Sequence, residues 1–180
     1  MNIFPKILGD RFNHLPPQVQ AFHDPDGTTI WTGTTQVRRG SNPLARLICH
    51  LFSFPEAGDA VPLRLTVTPL AQGEHWDRDF GGRHMSTTLI ARDGWLIEYL
   101  GPIRIYMRPV LEGDRFRVLP ERWSFFAVPL PTFLIPKSDN YEAEENGCFL
   151  FDVSINAPLV GLLVSYRGRL DRLQPGRHTT

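Results

Sequence analysis

The sequence is poor in the features that most readily announce a function. It holds two cysteines, Cys49 and Cys148, too few for a disulfide framework; free buried thiols are the expected reading. It holds no surplus of charge, with 19 Lys and Arg against 19 Asp and Glu. A general nucleic-acid binder carries a basic excess, so that class is excluded, and the pair Arg38-Arg39 is too small to make a patch. No apolar run approaches the roughly 18 residues of a membrane span, so no membrane insertion is expected. The opening MNIFPKILGDRF lacks the apolar core and small-residue cleavage site of a secretory leader, and a cytoplasmic protein is the expectation. Missing too are the GxSxG elbow, the P-loop, CxxC, HExxH and GxGxxG. No cofactor or metal is therefore expected, and no residue is assigned a catalytic role.

Proline and glycine, by contrast, are plentiful, at 16 and 15 residues. They punctuate short segments, as in chains built from many strands. The 180 residues read as one domain, 1–180, long enough to bury roughly 70% of its unfolded surface. The first 24 residues read as helix in two pieces, with Leu15-Pro16-Pro17 between them and Pro17 opening the second. Val19 and Phe22 would supply its buried side, and His23 would face the chain reversal at Asp24-Pro25-Asp26-Gly27. Residues 28–39, rich in Thr, Ile, Trp and Val, read as a strand. A helix is predicted over 43–53, capped by Ser41 or Asn42 with Pro43 in its first turn. In it Leu44, Leu47, Ile48, Leu51 and Phe52 fall on a single apolar stripe.

From residue 61 onward the pattern has period two. Val61, Leu63, Leu65 and Val67 alternate with polar residues, as do Ile103, Ile105 and Met107. Phe149, Phe151, Val153 and Ile155 alternate with Leu150, Asp152 and Ser154, and Leu162, Val164 and Tyr166 with Leu163, Ser165 and Arg167. Turn signals sit between, at Gly81-Gly82, Asp93-Gly94, Gly113-Asp114 and Asn146-Gly147, so these strands are antiparallel neighbours. Residues 129–138 carry three prolines and read as a loop or short helix crossing the sheet, and the polar tail at 174–180 is expected to fray. The predicted architecture is mainly β, α+β by content. About eight to ten antiparallel strands are too many to stay flat and curl into a barrel or deep half-barrel. The helix at 43–53 and the N-terminal helices cover an open face or mouth. Such folds commonly enclose an apolar ligand cavity.

Within this frame the stretch 74–86, E-H-W-D-R-D-F-G-G-R-H-M-S, stands out. With Gly81-Gly82 as a two-residue turn, Phe80 pairs with Arg83, Arg78 with Met85 and Trp76 with Thr87. One face then carries Trp76, Phe80, Met85 and Leu89 together with Arg78 and Arg83, and continues to Leu96, Glu98 and Leu100. A guanidinium on an aromatic face is unusual, because apolar packing is the default there. Directed into a cavity, Arg78 could hold a carboxylate or phosphate while Trp76, Phe80 and Met85 line the path of an apolar tail. The structural alternative is an arginine stacked on Trp76 or bonded to main chain. Glu98 is not expected to reach Arg78, since sheet spacings put them roughly 15 Å apart. At the far end Ile90, Trp95 and Ile97 fall on the polar face and call for an apolar cover, plausibly a helix.

The opposite face carries His75, Asp77, Asp79, His84, Ser86 and Thr88. Imidazole and carboxylate at alternate strand positions suit a metal. Cross-strand ion pairs, Asp79 to His84 among them, are the commoner use of such a face. A triad of Ser86, His84 and Asp77 is disfavoured because all three point outward. Glu98, Tyr106 and Tyr166 would be candidate acids or bases if they face a cavity, since burial raises a carboxylate pKa towards neutrality.

Several stretches, taken in order, carry a family resemblance. They are F-x-x-L-P-P-Q-V at 12–19, V-R-R-G at 37–40, L-A-R-L at 44–47, F-P-E-A-G at 54–58 and W-D-R-D-F-G-G-R at 76–83. G-P-I-R at 101–104, W-S-F-F-A-V-P-L-P at 123–131, F-D-V at 151–153 and S-Y-R-G at 165–168 complete the series. Together they resemble the bacterial family called domain of unknown function 4166. That family brings no established activity, so the resemblance assigns no catalytic residue. Its members occur alone and attached to reductase-like domains resembling saccharopine dehydrogenase. The resemblance therefore implies a separate reductase-like partner handling an apolar substrate.

The sequence thus leads to one expectation and two alternatives. The expectation is binding of a hydrophobic or amphipathic small molecule, with Trp76, Arg78, Phe80, Met85, Glu98 and Tyr166 as the ligand-binding set. The first alternative is a cofactor-independent isomerase or cyclase using Glu98 or a tyrosine in the same cavity. The second is an accessory module docking a reductase through its Pro-rich segment at 129–136.

Overall fold

The computed structural model describes residues 2–173; the tail at 174–180 lies outside them. The chain begins with a short helix α1 (Ile3–Leu8), a 3₁₀ stretch (Gly9–His14) and α2 (Pro17–His23). Pro17 opens α2, where its missing N–H costs nothing. Strand β1 (Thr29–Arg39) and helix α3 (Pro43–Leu51) follow, then β2 (Gly58–Leu70) and β3 (Gly73–Asp79). Next come β4 (His84–Arg92), β5 (Trp95–Leu100), β6 (Ile103–Glu112) and β7 (Arg115–Phe125). The short β8 (Val128–Pro129) and a 3₁₀ turn (Thr132–Leu134) lead to β9 (Lys137–Glu145), β10 (Cys148–Ala157) and β11 (Gly161–Arg172).

Every strand pairing is antiparallel. The order β6-β5-β4-β3-β2-β1-β11-β10-β9-β7 returns to β6 through the β6–β7 pairing, so ten strands close a barrel. β8 lies outside the ring and pairs only with the end of β7. Closure removes the unpaired edges that an open sheet would expose. The predicted hairpin register is the one observed, with Trp76 opposite Thr87, Arg78 opposite Met85 and Asp79 opposite His84. At the β1–β11 joint a side chain on Gly168 would meet the Thr34 carbonyl oxygen at 2.3 Å, so only glycine lets the strands approach there.

The ring has one weak seam. β7 and β9 share a single ladder pair, Phe116 with Glu142. Beyond it side-chain bonds take over: Asn140 Oδ1 accepts the Val118 N–H at 3.1 Å, and Arg117 Nε donates to the Asn140 main-chain carbonyl at 3.1 Å.

The two barrel ends are built differently. The N-terminal helices close one end, where the Phe4 ring stacks with Trp76 and meets Phe116 edge-on. Phe22 stacks on Phe149 with centroids 4.2 Å apart. The other end is a mouth, bounded by α3, the Gly81-Gly82 turn, the connection 126–136 and the turn 158–160.

Helix α3 sits at the mouth as predicted, but its details differ. Asn42, rather than Ser41, is the cap, with its Oδ1 accepting the Leu44 N–H at 2.9 Å. The helix stops at Leu51, and Ser53 beyond it takes a positive φ of 54°. The residues it buries are Ala45 and Cys49, with Ile48 and Phe52 half-buried, while Leu44, Leu47 and Leu51 are exposed. Small residues let the helix approach β11 closely, with the Cys49 thiol donating to the Leu163 carbonyl. The apolar arc is wider than that contact, so part of the predicted stripe faces out.

Candidate functional site

The barrel encloses a cavity of about 450 Å³ that runs from the closed end to the mouth. Its wall is laid down by the period-two alternation: Leu89, Leu96, Ile105, Met107 and Val153 all point inward. A β-bulge between Leu162 and Val164 adds Leu163, which strict alternation would assign outward. The floor residues Phe4, His23 and Phe116 are fully buried, whereas Ile48, Phe52, Leu134 and Pro158 near the mouth are half-exposed.

Of the six residues expected at a ligand site, Trp76, Arg78, Met85, Glu98 and Tyr166 line this cavity. Phe80 does not. It is buried beside the Gly81-Gly82 turn with the Tyr166 ring edge-on against it, centroids 5.5 Å apart, so Tyr166 takes the face that alternation had directed inward.

Arg78 projects from the wall with 12% of its side chain exposed. Its carbon Cζ lies 5.0 Å from the centroid of the Trp76 ring, and its Nη1 donates to Thr87 Oγ1 at 3.0 Å. Its Nη2 lies 3.9 Å from Glu98 Oε1. This ion pair overturns the expected separation of the two residues. Spacings along a flat sheet overestimate the distance, because inward side chains of a coiled, closed sheet converge toward its axis and both residues are long. At that distance the pair is electrostatic and not hydrogen-bonded. A guanidinium has five N–H donors, and one is bonded to a side chain here. Among the described residues its other donors make no hydrogen bond, and Arg78 lines the cavity.

A second polar region comes from β9, whose inward residues Ser138, Asn140 and Glu142 also line the cavity. Glu142 pairs with His23 Nε2 at the floor. His23 therefore does not face the chain reversal; it is fully buried, with Phe4 at 3.8 Å between ring centroids. The helical spacing Val19, Phe22, His23 (i, i+3, i+4) was the signal that could have found it. Tyr166 lies within the influence of Arg78, Glu98 and Glu142. Burial pushes its phenol above the ordinary range; Arg78 opposes the rise and the two glutamates add to it. Behind Trp76, Glu74 accepts the indole N–H at 3.0 Å, and burial raises its carboxyl pKa.

The outer face of the hairpin is organised by Asp77. Ser86 Oγ donates to it at 2.7 Å and His84 Nδ1 contacts it at 3.1 Å. Both partners address the carboxylate, so no serine-to-imidazole relay forms. Burial pushes the Asp77 carboxyl up, but the bonds from Ser86 and His84 outweigh it and hold the group below its ordinary range. The expected cross-strand contact of His84 with Asp79 is present at 3.9 Å. At the far end of this face Arg108 and Arg122 lie over the Trp95 ring, so arginines supply cover for which a helix was anticipated.

The model of a family described as Domain of unknown function (DUF4166) matches residues 15–170, and the chain belongs to that family. No curated protein and no solved structure matches it.

Proposed function

We propose that the barrel binds one hydrophobic or amphipathic small molecule, its apolar body along the inner wall and its polar head at Arg78 and Glu98. The observation that carries this reading is the partly bonded guanidinium of Arg78, set in a mainly apolar cavity of about 450 Å³. Ligand pockets combine such volumes with a few convergent polar groups. An arginine paired loosely with a carboxylate favours a head that accepts from one and donates to the other, a hydroxyl or a protonated carboxylic acid. A full carboxylate would meet repulsion from Glu98.

Native mass spectrometry of protein purified from a bacterial host should detect a co-purified lipid-like ligand, and the apolar dye N-phenylnaphthylamine should bind the emptied protein. Arg78→Met combined with Glu98→Gln removes both charges without leaving one unpaired. The double variant should retain the fold and release the co-purified ligand at least about tenfold more readily. An empty cavity that also refuses the dye would sink the reading.

A second reading has its own support, because Glu98, Tyr166 and the His23–Glu142 pair share the cavity. They could move a proton in a cofactor-independent isomerisation or cyclisation. That reading requires turnover that Glu98→Gln abolishes while the ligand still binds.

A further inference from the structure

Ten large apolar side chains are exposed among the described residues, and all but Leu70 and Leu173 lie at the mouth. Three are on α3: Leu44, Leu47 and Leu51. Three more, Phe125, Phe126 and Val128, are on the hairpin between β7 and β8. Phe133 projects from the 3₁₀ turn, and Leu159 from the turn between β10 and β11.

Backbone conformation sharpens the contrast between the two ends. At the closed end the positive-φ positions of the hairpin turns are Asp93-Gly94, Gly113 and Asn146-Gly147, residue types at ease there. At the mouth Gly81, Gly82, Gly101 and Gly161 take positive φ in the same way, but so do Phe126, Ala127 and Leu159, with φ of 44°, 65° and 66°. A left-handed conformation is unfavourable for residues with a Cβ, and most so for bulky ones. Yet Leu159 is 98% exposed, and Phe126 is 73% exposed with the exposed Phe125 ring edge-on against it, so burial does not explain these side chains.

Charge divides the same way. The connections at the mouth carry Arg46 and Arg83 against Glu56 alone. Those at the closed end carry Lys6 and Arg11 against Asp10, Asp24, Asp26, Asp93 and Asp114. Among the described residues, neither Arg46 nor Lys137, the first residue of β9, makes an ion pair.

We infer that the mouth is a docking surface for a lipid bilayer bearing anionic headgroups, which its apolar tips enter while its cations meet the phosphates. Separate protruding tips suit hydrocarbon, which accepts each one individually, better than a protein partner, which offers a packed and complementary face. Penetration ends at the rim. The outer wall carries Arg64, Asp77, Arg104 and Arg108, the reverse of a barrel set in lipid, and no described helix is long and apolar enough to cross a membrane. The purpose of such docking rests on the proposed ligand reading: an apolar molecule would pass from bilayer to cavity without crossing water.

The test is flotation with vesicles of phosphatidylcholine, with and without phosphatidylglycerol. Binding should appear with the anionic vesicles, weaken without phosphatidylglycerol and fall as salt rises. Phe126→Asn with Leu159→Asn places a residue suited to positive φ at both tips, so the fold should persist or gain stability. This variant should lose at least about tenfold in vesicle affinity while still taking up N-phenylnaphthylamine. Equal vesicle binding by the variant overturns the inference, as does absence of binding to either vesicle. A wild-type dimer that the same substitutions dissociate, or a protein partner bound in place of vesicles, assigns the surface elsewhere and also overturns it. Vesicle binding without dye uptake would leave the docking intact and remove the ligand reading instead.

Discussion

Two half-buried charged residues show what the period-two pattern reveals and what it conceals. Arg78 was legible because its neighbours at two-residue spacing, Trp76 and Phe80, are aromatic; the structure puts it in the cavity wall. Glu98 was legible as a residue of the same face, but its pairing with Arg78 was not, since contacts inside a closed barrel depend on curvature that no single strand encodes. Glu74 carries a measurable consequence. Burial raises its pKa in the folded protein, while the unfolded chain titrates near 4.3. Between those values the native state holds a proton that the unfolded state releases, so this residue lowers stability as pH rises. Glu74→Gln removes that dependence and can still accept the Trp76 N–H. Melting temperatures from about pH 4 to pH 8 should therefore show the variant gaining on the wild type as pH increases. Parallel curves would refute the assignment.

The strands were legible at the level of elements, because alternation and Gly-containing turns are local signals. The mouth was much less so. Only part of the stripe on α3 is covered, since periodicity marks an amphipathic helix without saying how much of its arc the protein buries. The Phe126-Ala127 turn carries no Gly or Asn, so nothing in its composition announces a hairpin. Nor did the polar inner face of β9 appear in a search for apolar alternation. That face sets up a test of the seam. Asn140→Ala deletes the side-chain acceptor that serves Val118 where the ladder has ended, and should cost about 1–3 kcal/mol. Hydrogen exchange should quicken at the Val118 amide and its neighbours in β7 and β9, leaving the β1–β11 amides protected. A uniform change across the barrel would show that the seam is no weaker than the rest.

For the molecule as a whole, the cavity is a thermodynamic lever. A ligand bound by the folded state alone, at a hundred times its Kd, adds about 2.7 kcal/mol to stability. At roughly 2–4 °C per kcal/mol for a chain of this size, that amounts to a rise of about 5–11 °C in Tm. On the proposed ligand reading, stripping a co-purified ligand and restoring it should move Tm by that order, and the Arg78→Met, Glu98→Gln variant should respond less. The closing joint of the barrel has a different consequence. β1 is sewn to β11 from Trp31 opposite Arg172 to Arg39 opposite Val164, the first strand to the last. During translation the opening strand must wait, its partner still inside the ribosome, while every strand between them is made. The hydrophobic lining stays uncovered for that interval, and the final step joins segments far apart along the chain, the kind of pairing that folds slowly. Nascent chains halted before β11 emerges should therefore be the ones that chaperones hold.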